Sequence, residues 1–169
     1  MVQHYDAKTF RSNKSLGYLL KVAHARMHEC ASLAFSEHDL NFMQWIVLTK
    51  LREGSARTAG DLCKGMYYDT GAVTRLIDSL EERGYLSRER SRQDRRVVEL
   101  EVTETGLEKL DEMTPLAVAK LNEALADFSS AEFAEFTRLI EKLIGGLSRT
   151  ESELSASELK GSEPKGSAS

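Results

Sequence analysis

No stretch of this chain approaches the ~18 consecutive apolar residues that a helix needs to cross a bilayer. The opening segment MVQHYDAKTFRSNKS has neither an apolar core nor a small-residue cleavage site, so no secretion signal is expected either. Cysteine is scarce: Cys30 and Cys63 are the only two, far apart in apolar-rich sequence, which suits reduced, buried thiols better than a disulfide framework. A cytoplasmic location is the expectation. Only 2 prolines interrupt 169 residues, a composition that favours helix. No phosphate-binding glycine loop, nucleophile elbow or acid pair set for a cleft is present, so neither an enzyme nor a cofactor is expected. Length and a 41% hydrophobic content allow one globular domain with a proper core.

What the chain does have is locally concentrated positive charge. Its formal net charge is -4, yet six arginines (83, 88, 90, 92, 95 and 96) stand between Arg83 and Arg96 against only Glu89 and Asp94. That segment is a +4 footprint, and a polyanion is the natural partner.

Hydrophobic spacing places this segment in a pattern. Leu16, Leu20, Ala23, Met27, Ala31 and Ala34 recur at three-and-four spacing after Ser15, an N-cap residue, which predicts a helix over 15–35. Asp39 is the expected cap of a second, largely buried helix that ends at Gly54. A short third helix begins near Thr58, and Asp69 caps a fourth that stops at Gly84. Two helices joined by a brief turn form a helix-turn-helix. The alternating YLSRERS and RVVELEVT, joined by SRQDR, then predict a two-stranded hairpin, that is, a wing. Helix resumes at Thr103 and continues past Pro115. Ser129 or Ser130 caps a last helix whose Phe133, Phe136, Ile140, Leu143 and Leu147 form a stripe. The fold class expected is mainly α: a winged helix-turn-helix over 39–106 between terminal helices at about 15–35 and 107–148. The terminal stripes exceed what a small winged domain can cover, so a homodimer is expected. Residues 150–169, rich in Ser, Glu, Gly and Lys, read as a flexible tail after a single domain over 1–149.

The stretch DTGAVTRLIDSLEERGYLSRERSRQDRRVVELEVTETG resembles the signature region of the MarR family of bacterial transcription regulators. In that family a VTR helix is followed by a D-R-R wing and an L-T-x-x-G close. Asp94-Arg95-Arg96 matches the wing, and Val102-Thr103-Glu104-Thr105-Gly106 matches the close with Val for Leu. The resemblance implies a dimeric DNA-binding regulator acting on an inverted repeat of double-stranded DNA, with half-site centres about one helical turn apart. Thr70, Gly71, Thr74 and Arg75 are the expected readers in the major groove: Gly71 permits close approach, and Arg75 suits a guanine edge or a phosphate. Arg95 resembles the family's minor-groove arginine. Arg96 is expected to brace the wing against Asp69 or Asp94, while Arg88 and Arg90 lie along the phosphate backbone.

Family resemblance also implies a repressor released by a small aromatic carboxylate or phenol, bound in a cleft between the dimerisation helices and the winged domain. His24 and His28 flank the first helix's stripe, Trp45 offers a flat wall and one N–H, and Lys21 could add charge. The same residues equally suit a structural role, with Trp45 in the core. His24 and His28 have metal-pair spacing, but no second cluster of ligands follows, and no metal is expected. Redox control through Cys30 or Cys63, or a winged helix that binds protein, are the alternatives.

Overall fold

A computed structural model describes residues 3–91 and 93–161 of the chain, which form two units divided after Ala124. Within the first unit, a short 3-10 turn at Ser12–Lys14 leads into α1 (Leu16–Ala34), α2 (Phe42–Arg52), α3 (Ala59–Met66) and α4 (Thr70–Glu82). Strands β1 (Leu86–Arg90) and β2 (Val98–Val102) and helix α5 (Glu104–Ala124) follow. The six-helix architecture is completed by α6 (Ser130–Gly161) in the second unit, so the expected mainly helical winged fold is observed. No helix among the described residues is long and apolar enough to cross a membrane.

Capping chemistry sets the helix starts. Ser15 accepts from the Tyr18 amide, Asp69 from the Ala72 amide, and Thr58 from the Asp61 amide, each at the expected position. The cap of α2 is different. Asn41, not Asp39, accepts from the Gln44 amide, and the Gln44 side chain returns the bond to the Asn41 amide, a reciprocal box that satisfies two otherwise orphaned donors. Asp39 is instead drawn away by Lys109 Nζ at 2.8 Å and by the Tyr85 hydroxyl. Gly54 and Gly84, at φ 70 and 72, turn the chain out of α2 and α4 in the left-handed region that glycine adopts without a Cβ clash.

The core lies between α2, α4, β1 and α5: Leu48, Ile77, Leu80, Leu86, Leu110 and Met113 are almost fully buried. β1 and β2 pair antiparallel, with Arg88 opposite Leu100 and Arg90 opposite Val98. The linker before α3 joins this sheet by one bond, from the Leu100 amide to the Arg57 carbonyl at 2.8 Å. At the far end of the wing the chain closes tightly on itself. Thr103 Oγ1 donates to the Gly84 carbonyl at 2.6 Å, and a Cβ at Gly106 would stand 2.0 Å from the Tyr85 carbonyl oxygen. Only glycine fits there.

In the second unit Ser129 is the cap of α6, exchanging bonds with Glu132, and Phe128 packs against Phe136 with ring centroids 5.9 Å apart. The helix continues to Gly161, past the boundary expected at Arg149. Residues 150–161 contain Ala, Leu, Glu and Lys and no proline, a composition that extends a helix already nucleated upstream. The remainder of the expected tail, 162–169, lies outside the described residues.

Candidate nucleic-acid interface and ligand cavity

α3 and α4 meet through a turn at Tyr67-Tyr68-Asp69. Asp61 anchors the start of α3, accepting from the Thr58 hydroxyl and from the amides of Arg57 and Thr58. Those donors hold its carboxyl below the usual carboxylate range. α4 buries Val73, Ile77 and Leu80 and leaves Thr70, Gly71, Thr74 and Arg75 exposed. The expected readers therefore share the outward side of one helix near its N-terminus, where free amides and the helix dipole favour phosphate. Thr74 donates its hydroxyl to the Thr70 carbonyl at 2.8 Å, so it offers DNA a methyl group and acceptor lone pairs rather than a donor. Gly71 lies between the Asp69 cap and the Arg75 guanidinium, 3.2 and 3.8 Å from where a Cβ would be.

Ion pairing distinguishes the arginines of the wing. Arg88, expected along the phosphate backbone, lies over α4 and pairs with both Asp78 and Glu81; its side chain is 32% exposed. Two carboxylates on the adjacent helix outcompete solvent for a guanidinium whose stem is already packed. Arg96, expected to brace the wing against Asp69 or Asp94, pairs with Asp94 at 3.8 Å, a long contact screened by solvent because Arg96 is 94% exposed; Asp69 accepts the capping bond of α4. Arg88 braces the wing against α4. Asp94 also shapes the turn by accepting from the Arg96 amide at 3.0 Å. Arg90 and Arg95 are exposed and make no ion pair among the described residues, which leaves their charge available. Arg92 lies outside the described residues.

A cavity of about 300 Å³ opens in the first unit between α1, α2, the end of α3 and α5. Met27, Phe42, Met43, Ile46 and Met66 supply apolar walls, and His24, His28, Lys50 and Tyr68 supply the polar groups. The two histidines expected at a ligand site are thus brought together. Lys21 is on the exposed side of α1 and does not line the cavity; the lysine that does is Lys50. Trp45 lies behind the wall. It stacks on Phe42 at 5.7 Å with ring planes 20° apart and donates its Nε1–H to Thr114 Oγ1 at 3.3 Å. His28 makes an edge contact with Phe42 at 5.6 Å, and its Nδ1 is 3.5 Å from the Ser32 hydroxyl. Cys63 packs against the core and Cys30 is half-buried on α1. No group of three or more His, Cys, Asp or Glu that could hold a metal comes together among the described residues.

Residues 38–97, the helix-turn-helix and wing, match the MarR family. The chain is 30% identical over 124 residues to the HTH-type transcriptional regulator YdcH of Bacillus subtilis, covering 71% of this chain and 84% of YdcH. The chain belongs to the MarR family.

This MarR-family protein is accordingly a DNA-binding transcriptional regulator. Its fold matches that of a mutant E. coli MarR complexed with operator DNA (TM-score 0.68, 26% identity, covering 76% of this chain and 92% of that one). It also matches Bordetella bronchiseptica BpsR, whose DNA binding is regulated by 6-hydroxynicotinic acid (TM-score 0.71, 25% identity, 79% and 96%). Sequence spacing could not have found Lys50 or the Arg88 brace. Each depends on two elements packing side by side, whereas periodicity describes one element at a time.

Proposed function

We propose that this MarR-family regulator is a homodimeric repressor that binds an inverted repeat and leaves it when a small aromatic carboxylate or phenol occupies the cavity beside His24, His28 and Lys50. The observation that carries this reading is the cavity itself: about 300 Å³ with apolar walls and cationic or hydrogen-bonding groups gathered on them. Such a lining satisfies both halves of an aromatic anion, the ring against Phe42 and the methionines and the charge against Lys50 or an imidazole. The regulation of BpsR by a hydroxylated pyridine carboxylic acid supports this class of ligand. Thr70, Gly71, Thr74 and Arg75 read the major groove, Arg90 follows the phosphates and Arg95 enters the minor groove. The exposed Phe133, Phe136, Leu139, Ile144 and Leu147 on α6 support assembly with a second copy.

Thermal stabilisation by 6-hydroxynicotinic, benzoic and hydroxybenzoic acids tests the ligand, because a molecule that binds only the native state raises its melting temperature. Trp45, stacked on the Phe42 wall, reports binding by fluorescence. A ligand that stabilises the parent should fail to stabilise Lys50→Met and His28→Ala and should release operator DNA, with a coupling of ~1–3 kcal/mol. Equal stabilisation of parent and variants would move the site elsewhere.

A further inference from the structure

Two adjacent tyrosines in the turn between α3 and α4 have opposite fates. Tyr68 turns inward: it packs against the core, lines the ligand cavity and reaches Met43 Sδ with its hydroxyl at 3.7 Å. Tyr67 turns outward and is 93% exposed, more than any other large hydrophobic side chain among the described residues. The backbone produces this divergence. Tyr67 is the C-cap of α3 in the left-handed conformation, φ 54 and ψ 39, and is the only non-glycine described residue with a positive φ.

That conformation belongs by preference to glycine or asparagine, because a Cβ crowds the following carbonyl. A tyrosine there is costly to the backbone, and at 93% exposure its ring recovers little of that cost by burial. The position, however, is informative. Tyr67 stands two residues before the Asp69 cap of α4, whose next turn carries Thr70, Gly71, Thr74 and Arg75. When the start of such a helix enters a major groove, the turn just before it lies at the groove's edge, against the phosphate ridge. A phenol is a neutral donor suited to a phosphate oxygen, and its flat ring can cover a sugar.

We propose that Tyr67 is a DNA-backbone contact of this regulator, donating its hydroxyl to a phosphate beside the recognition helix, and that the left-handed turn exists to aim it there while Tyr68 anchors the turn from within. Because the donor is neutral, it contributes affinity without releasing counterions, and because phosphates are the same at every base pair, it contributes equally on any duplex. This separates Tyr67 from Arg75 and from the wing arginines.

The test uses the whole chain, with operator and unrelated duplex DNA titrated over a range of salt concentrations. Tyr67→Phe removes only the hydroxyl and is expected to weaken binding ~3- to 10-fold, the loss of one neutral hydrogen bond, equally on both duplexes and with the salt slope unchanged. Tyr67→Gly should weaken binding at least as much while its melting temperature stays at or above the parent's, since glycine is at home in that conformation. Binding within twofold of the parent for both variants would overturn the proposal. So would a loss confined to the operator, which would mean base reading, or a melting temperature of Tyr67→Gly several degrees below the parent's, which would mean the ring supports the fold.

Discussion

The helix-turn-helix with its wing, and the long helices at either end, are built to different degrees of self-sufficiency. α4 buries Val73, Ile77 and Leu80 over 13 residues and is clasped to β1 through Arg88. α1, over 19 residues, buries only Ala31 and leaves Leu16, Leu19, Val22, Met27 and Leu33 exposed. α6 likewise exposes Phe133, Phe136, Leu139, Ile144 and Leu147. The part that meets DNA is stabilised by the chain's own core. The terminal helices display apolar surface whose burial would contribute roughly 25 cal/mol per Å², and in the homodimer proposed above a second copy would supply the matching face.

Equal truncations in the two regions should therefore have unequal consequences. Leu80→Ala removes fully buried volume beneath the recognition helix and is expected to cost ~2–5 kcal/mol of unfolding free energy in chemical denaturation. Leu139→Ala, on the exposed face of α6, should change the unfolding of dilute protein far less and act instead on assembly. Comparable losses of stability from both changes, independent of protein concentration, would erase the distinction. Paired charges sharpen it further. Ile144→Glu with Leu147→Glu should yield monomers in sedimentation that retain helix content but bind the operator at least ~10-fold more weakly, because half-site binding is no longer linked.

Two arginines of the helix-turn-helix and wing, Arg75 and Arg88, differ in the same way. Arg75 is exposed on α4 and free to reach a base, so Arg75→Ala should lose ~1–3 kcal/mol on the operator and relax discrimination at one position per half-site. Arg88 is held by Asp78 and Glu81, so Arg88→Ala should leave base preference intact and lower stability modestly, by freeing the wing from α4. Selection from a randomised operator pool separates the two: an altered preference from Arg88→Ala would reassign it to DNA.

Much of this was legible in the sequence, and the limits have physical causes. Caps at Ser15, Thr58 and Asp69, the glycine exits at 54 and 84 and the wing hairpin are local events, each decided within a few residues, and spacing revealed them. The role of Asp39 was not local. It stands where an N-cap would, but Lys109 and Tyr85, 70 and 46 residues away in sequence, compete for it, and Asn41 takes the cap. The ties of Arg88 were not local either, since Asp78 and Glu81, the carboxylates that hold it, lie on a helix the hairpin folds against. At the cavity, helical phase correctly put His24 and His28 together, but which lysine shares their space depended on how α2 crosses α1.

The smallest expected effect concerns the cluster at Asp39, which joins the segment before α2 to Tyr85 and to α5. Lys109, only 16% exposed at its side chain, bonds Asp39 at 2.8 Å and Glu112 at 2.9 Å. Its hydrogen bond to Asp39, reinforced by the Tyr85 hydroxyl, holds the Asp39 carboxyl below its ordinary value, and the same contact raises Lys109 above its own. A carboxyl with a depressed folded-state pKa contributes stability that is fully present above its unfolded value of ~4 and is lost as pH falls through the lower folded value. A raised lysine contributes stability that is complete below its unfolded value of ~10.4 and fades only as pH climbs beyond that. Both contributions are therefore constant from about pH 5 to 9. Asp39 is about half exposed, so solvent screening keeps its share small. The melting temperature of Asp39→Asn should stay a fixed small interval below the parent's from about pH 5 to 9, and the two curves should converge below about pH 4. Divergence on acidification, with the parent losing less than the variant, would mean that Asp39 is protonated in the folded state at higher pH than in the unfolded chain, and that the Lys109 contact does not form in solution.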